Sequence, residues 1–351
     1  MKKLGIKGKL RCIRKSKQAN SRRFKLKRKA LAFKLLCRTL TRIHAPAYFM
    51  INDDGKRLKL LRFINKLRSA MLIKKNGVCL DFSAAKQFVA DGMLLFVSEL
   101  NRAIQLSGNK IVVRCIPPKK SKLKHVFSQI GLFNLFKYKY RGNRTDDEDV
   151  VHWRYAKGVL VEGKAYEHLL GQYDGRIAKS LSSKLYVGLV EGMKNVRHHA
   201  HIAMRKDGLS VVNDVQGWWM FSQERNGYLS VLLCDLGVGI PETLPVKHQN
   251  AYEALLRKLV LKSTQLNDSE IICEATELMK SRTLEEHRGR GLGQMVNAIT
   301  GEFEGRVCIH SNKGCYTNDN GNVGLREYSS SILGTLIYWR VPLKIVNEDG
   351  F

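Results

Sequence analysis

The sequence predicts an α/β fold in two units. Three observations predict it. Short apolar strands alternate with helical patterns from about residue 46 to 140, a second series of helices and strands begins near residue 176, and a polar stretch separates the two. The length, 351 residues, allows about two domains of roughly 100–200 residues each.

In the first unit, AYFMIND (47–53) reads as a strand. KRLKLLRFINKLRSAM (56–71) carries Leu, Phe and Ile at helical spacing. VCLDFS (78–83) is a short apolar strand, and DGMLLFVSELNRAIQLSG (91–108) is a helix that Gly108 ends. KIVVRCI (110–116) is a further strand. After Pro117 and Pro118, KLKHVFSQIGLFNLF (122–136) reads as a final short helix. Residues 141–175 are polar, weakly periodic and in part acidic, which marks a linker with room for one short strand or helix.

The second unit spans 176–346. It opens with the helix IAKSLSSKLYVGLVEGMKNVRHHA and the strand YLSVLLCDLGVGI. A polar helical insertion follows (NAYEALLRKLVLKS, then SEIICEATELMKS), and then the glycine loop RGRGLG. The helix QMVNAITGEF and the strands GRVCIHS and GTLIYWRVPL close it. Trp218 and Trp219 are expected to pack the sheet.

Charge is concentrated at the start of the chain. Residues 1–75 hold 25 Lys and Arg against two acids, Asp53 and Asp54, a net +23 out of a total of +30. Residues 1–45 therefore read as a basic N-terminal arm for polyanions, with its first 20 residues disordered when free. RRFKLKRKALAFKLLCRTLTRI (22–43) fits a basic amphipathic helix for nucleic acid or an anionic membrane surface, and equally a helix packed on the next unit. No apolar run approaches the ~18 residues of a membrane span, and no secretory signal is read. Eight cysteines lie scattered without a CxxC pair, so a reduced, cytoplasmic setting is expected. Cys308 and Cys315 could pair across a hairpin, but in that setting buried free thiols are expected.

The chemistry-bearing residues lie in the second unit. Glu191, Asn195 and His199 recur every four residues and share one helical face. Asp235 ends a strand, and Gly237 and Gly239 follow it. A carboxylate there can accept from an exocyclic amine, and the glycines let backbone approach a ligand. Gly289, Gly291 and Gly293 lead into a helix N-terminus, an anion-binding arrangement to which Arg288 and Arg290 add charge. Gly334-Thr335 opens the last strand with a hydroxyl. His198, His199 and His201 are read as helix-end residues favoured by its dipole rather than as zinc ligands. His287 is left without a role.

In this order, the pieces resemble the nucleotide site of the GHKL ATPases, the superfamily of gyrase B, heat-shock chaperone ATPases, histidine kinases and MutL. Glu191-x3-Asn195 resembles the N-box, DLGVGIP the first glycine box, RGRGLG the second, and GT the last adenine-side element. The resemblance implies a two-layer α/β sandwich, a mixed sheet covered by helices, binding ATP and Mg²⁺. It implies that Asn195 is the Mg²⁺ ligand and that Glu191 is the general base. Asp235 would read adenine and Gly237 and Gly239 would shape the pocket floor. Gly289, Gly291 and Gly293 would hold the phosphates, with a lid over roughly 242–288. Glu-x3-Asn-x3-His is most similar to the anti-sigma-factor serine kinases, although Val196 and Leu236 depart from that branch. Residues 77–136 resemble a STAS domain, within a small βαβα unit over 46–140. Asp91 stands near the place of its phosphorylatable serine, so a permanent negative charge or a structural domain is expected there. The functions implied are phosphoryl transfer to, or ATP-gated binding of, a partner protein. The alternatives are a nucleic-acid-associated ATPase that pairs two copies on binding ATP, and a non-catalytic nucleotide-binding adaptor.

Overall fold

In the first unit three strands pair in parallel in the order β1 (Thr41–His44), β3 (Val78–Asp81), β5 (Val113–Ile116), with β3 in the centre and buried throughout. A two-residue pair, β2 (Tyr48–Phe49) with β4 (Gln87–Phe88), lies beside them. The computed structural model describes residues 14–21, 24, 39–140, 142, 153–159, 167, 169–171, 179–196, 202–209, 215–247, 249, 252–253, 256–257, 266–281, 296–302 and 304–343. Strand β1 comes from the stretch read as basic arm, so the fold begins a few residues before the expected boundary. Residues 14–21 are helical and exposed, where disorder was expected; Arg, Lys, Gln and Ala there are good helix formers.

Helix α1 (Asp54–Arg68) starts where the Asp53 carboxylate accepts the Lys56 N–H at 2.9 Å, and it carries Lys66 and Arg68 in its last turn, where cations suit the dipole. It runs on into a π-helical turn, Ser69–Ile73. The segment expected to be one helix after Pro118 is two, α3 (Ser121–Gln129) and α4 (Leu132–Leu135), because Gly131 turns the chain through φ +76°.

Helix α2 (Ala90–Leu106) is the centre of the molecule. Residues 92–103 are all buried, polar ones included. A helix buried on every side has packing layers on both flanks. One flank is the parallel unit; the other is the large sheet, through Trp219, Phe221, Leu232, Cys234, Leu236 and Leu336. The two units thus share one core. Two of the polar residues of α2 bond locally or to the large sheet: Ser98 Oγ donates to Leu94 O at 2.8 Å, and Asn101 bonds Val97 O, the Tyr155 hydroxyl and Lys157 Nζ. At its start, Gly92 lies so close to β2 that a Cβ would sit 2.4 Å from Met50 N and from the Phe49 carbonyl carbon. Backbone cannot yield there. Gly92→Ala is expected to cost about 3 kcal/mol, read as a shift of the urea midpoint.

The large sheet has seven strands in the order β11 (Asn322–Glu327), β10 (Gly314–Asp319), β9 (Arg306–Ser311), β12 (Thr335–Pro342), β8 (Tyr228–Asp235), β7 (Trp218–Arg225), β6 (Arg154–Gly158). Every pairing is antiparallel, which corrects the expected mixed sheet. Its connections explain why: β7–β8 and β10–β11 are hairpins closed by Asn226-Gly227 and Asn320-Gly321, all four at positive φ as a two-residue turn requires. Strand β6 lies inside the expected linker. The face away from α2 is covered by α5 (Lys179–Asn195), through Leu185, Leu189 and Met193, and by Ile272 of α7 (Asp268–Ser281).

Candidate functional site

Register brings two of the predicted residues together. Asp235, the last residue of β8, is paired directly with Thr335, the first of β12. Thr335 is in turn opposite Ser311, the last residue of β9. Successive side chains of a strand alternate between faces. Leu233, Ile337 and Ile309 belong to the core under α5, whereas Cys234 and Leu336 belong to the core around α2. Asp235, Thr335 and Ser311 therefore all point to the α5 face, at one end of the sheet. The Ser311 and Thr335 hydroxyls lie 3.1 Å apart.

The loop after Asp235 is built tightly. The Gly237 N–H donates to Asp235 Oδ1 at 2.8 Å, and the Ile240 N–H donates to Ser311 Oγ at 2.8 Å. Gly239 has φ +88°, and a Cβ there would press on the Asn312 amide at 2.6 Å. Asn312 ties the Gly237–Gly239 loop to Gly334. Its Nδ2 donates to Val238 O at 2.9 Å, its Oδ1 accepts the Gly334 N–H at 3.3 Å, and its N–H donates to Gly334 O at 3.0 Å. Gly334 has no room for a side chain, since a Cβ would lie 2.4 Å from Asp235 O. Burial pushes the Asp235 carboxyl up to about 6, against the pull of the Gly237 N–H, Arg205 and Thr335.

Glu191 and Asn195 both lie on α5, within its last turns. Between them Gly192 seats the helix on β8: a Cβ there would fall 2.4 Å from Leu233 Cδ2, two residues before Asp235. The side chains of Glu191 and Asn195 are outside the described structure. So are His199, His287 and the whole second glycine element, Gly289, Arg290, Gly291 and Gly293. The lid expected over 242–288 is anchored over part of its length. Helix α6 (Ile240–Lys247) packs Leu244 against Ile271 and Ala275 of α7. The Ser269 N–H donates to Glu327 Oε2 at 3.1 Å and Asp268 Oδ2 accepts the Lys313 N–H at 2.9 Å. The rest of the expected lid is outside the described residues.

Sequence reasoning missed the groups that brace the site from behind. Arg205 donates through Nε to Leu333 O at 2.7 Å, next to Gly334, and through Nη2 to Glu99 Oε1 of α2 at 2.5 Å. Arg102 meets Asp207 at 2.6 Å, and Arg68 lies 3.7 Å from Asp207 and 3.8 Å from Glu99. All five side chains are buried. Arg57 of α1 makes a second tie: it donates to Asn312 O at 2.6 Å and Ser330 O at 2.9 Å, and it stacks 4.2 Å from the Tyr328 ring. Nothing near these arginines in sequence distinguishes them from solvated helix charges.

The opposite face of the sheet holds a separate cluster, Cys308, His310 and Cys315, with all three thiol and imidazole ligand atoms within 4.8 Å of one another. The hydrogen bond between the two thiols raises Cys308 and lowers Cys315, so the pair holds one proton more firmly than the other. Both cysteines are free thiols, as the sequence led us to expect.

No protein-family model matches the chain, and no curated protein matches it. Among the described residues no helix is long and apolar enough to cross a membrane.

Proposed function

We propose that the chain binds Mg·ATP in the manner of the GHKL proteins, between α5 and the strand ends of β8 and β12, and acts on a partner protein in response. One observation carries this reading: Asp235 and Thr335, about 100 residues apart in sequence, lie directly opposite each other on the α5 face. The chemistry of the donor set fits a purine. The Gly237 N–H, donating to Asp235 Oδ1, and Thr335 fix the carboxylate, and a carboxylate with about four lone-pair sites can accept an exocyclic amine as well. Thr335 and Ser311 supply hydroxyls beside it. Gly237 and Gly239 form the pocket floor.

When bound, Mg²⁺ supplies charge neutralisation at the phosphates. Asn195 would hold the ion, Glu191 would orient and deprotonate the attacking group, and Gly289, Arg290, Gly291 and Gly293 would hold the phosphates. Asn195→Ala is expected to abolish Mg·ATP binding, and Glu191→Ala to keep binding and lose turnover. Dialysis with labelled ATP and phosphate release read the two effects. Unchanged binding by the Asn195 variant would reject its assignment.

The basic arm supports a second partner class, nucleic acid. Residues 14–21 are exposed and include Arg14, Lys15 and Lys17. Deleting residues 1–38, which spares β1, is expected to leave nucleotide affinity intact and to lower polyanion affinity, most visibly at low salt. A loss of ATP binding on this deletion would instead make the arm part of the nucleotide pocket.

A further inference from the structure

We propose that Cys308, His310 and Cys315 form a zinc site whose fourth coordination position opens into a basic cavity. The ligands come from one hairpin. Cys308 and His310 are two apart on β9 and so share a face, and Cys315 on β10 is paired directly with His310. They lie on the α2 side of the sheet, since Val307 and Ile309, their alternates on β9, belong to the core under α5. The site is therefore separate from Asp235 and Thr335, and its existence does not depend on the nucleotide reading.

The spacing of the donor atoms matches a metal ion better than a hydrogen-bonded cluster requires. Zinc takes thiolate sulfur at about 2.3 Å and imidazole nitrogen at about 2.0–2.1 Å in a tetrahedron. Those lengths place two sulfurs about 3.8 Å apart and a sulfur and a nitrogen about 3.6 Å apart. The observed edges are 3.5 Å between the sulfurs, 3.4 Å from Cys308 Sγ to His310 Nε2, and 3.9 Å from Cys315 Sγ to His310 Nε2. Two soft thiolates and an imidazole select zinc over magnesium or calcium. All three residues are buried, yet all three line a cavity of about 710 Å³ between the sheet and the start of α2.

Three protein ligands among the described residues and one open position make a site for exchangeable ligands rather than a closed structural one. The cavity suggests which ligand. Arg225, Arg306, Arg326 and Arg340 line it, and among the described residues Asp91 is its single acidic one. Its size falls in the usual range for small-molecule sites, about 300–1,000 Å³. The fourth position accordingly takes a water or a small oxyanion such as phosphate, held by zinc on one side and guanidinium groups on the other. Zinc binding releases the thiol protons to solvent.

The test uses the full chain, stripped of metal under reducing conditions and titrated with Co²⁺ as a spectroscopic probe. The expected result is a 1:1 complex with the absorption of a tetrahedral thiolate site, displaced by Zn²⁺ and shifted by inorganic phosphate. Cys315→Ser and Cys308→Ser should each weaken Zn²⁺ binding more than about 100-fold, beyond the ~10–100-fold of outer-shell changes, while Cys273→Ser on α7 leaves it unchanged. Circular dichroism of the metal-free variants establishes that they fold, and the parent's own titration stands whatever they do. A parent that takes up no Co²⁺ and no Zn²⁺ overturns the site. Equal affinity in the serine variants overturns the ligand assignment, and a Co²⁺ spectrum indifferent to phosphate overturns the open anion position.

Discussion

Replacing Asp235 with asparagine is expected to raise the protein's stability above pH 6 and to weaken adenine-nucleotide binding about 10–100-fold. The affinity loss follows from removing a hydrogen bond to a charged acceptor, worth roughly 1.5–3 kcal/mol. An asparagine still offers Oδ1 to the Gly237 N–H, but it turns a donor toward the purine amine. The stability gain has a worked sign. The folded protein holds the Asp235 carboxyl at about 6, above its ordinary value of 3.8. The folded state thus binds the proton more tightly than the unfolded one. Stability from this group is highest below its unfolded value and falls as pH rises toward 6, and the full penalty remains above that. A shift of about two units corresponds to at most ~3 kcal/mol. The asparagine variant escapes the penalty, so its advantage in melting temperature should be full at pH 8, smaller at pH 5 and gone near pH 3.5. Thermal melts at these three values read the pattern. A variant less stable at pH 8 would show that the carboxylate is a structural group. A residue kept at the expense of stability is what a ligand site entails.

Glu99→Gln is expected to destabilise the fold by about 3–5 kcal/mol, the usual consequence of breaking a buried ion pair. Among the described residues, Glu99 and Asp207 are the acids facing Arg68, Arg102 and Arg205. Neutralising Glu99 removes one of the two carboxylates that, among the described residues, face three buried guanidinium groups. Burial raises the Glu99 pKa, but Arg205 and Arg68 outweigh it and hold the carboxyl below its ordinary value. A depressed carboxylate contributes stability above its unfolded pKa and loses it as pH falls through the folded one. The variant's deficit should therefore be largest near neutral pH and shrink in acid. Lys206→Ala is the control. Its pair with Glu242 is exposed, and such pairs contribute about 0–1 kcal/mol. Urea unfolding of both variants gives the comparison. Equal, small effects would mean that the buried cluster is not what ties α2 to the strand ends.

The helices of the first unit were legible because α1 and α2 carry apolar residues at helical spacing with clear stops. The roles of Glu99 and Arg102 were not. On a helix they read as an ordinary polar face, and only the second layer across α2 reveals that they are buried. Their partners, Arg205 and Asp207, lie about 100 residues away, where no local pattern reaches. Asp235, Gly237, Gly239 and Thr335 could be named from motif and strand context. That Asp235 faces Thr335 depends on sheet register, which no spacing in the chain encodes. Strand β11 escaped notice because it is short and has no buried face: all six of its residues are exposed, Val323 and Leu325 included. Asn320-Gly321 was nonetheless a usable hairpin signal. The mixed sheet was expected by resemblance alone, and these hairpins make it antiparallel.

The proposed purine site lies at the strand ends of β8 and β12. Equilibrium dialysis of the full chain against radiolabelled ATP with Mg²⁺ tests it most directly. Saturable retention of one ATP per chain is expected, lost without Mg²⁺ or with Asn195→Ala and reduced in Asp235→Asn. Retention no greater than that of a control protein, with the chain folded by circular dichroism, would contradict it.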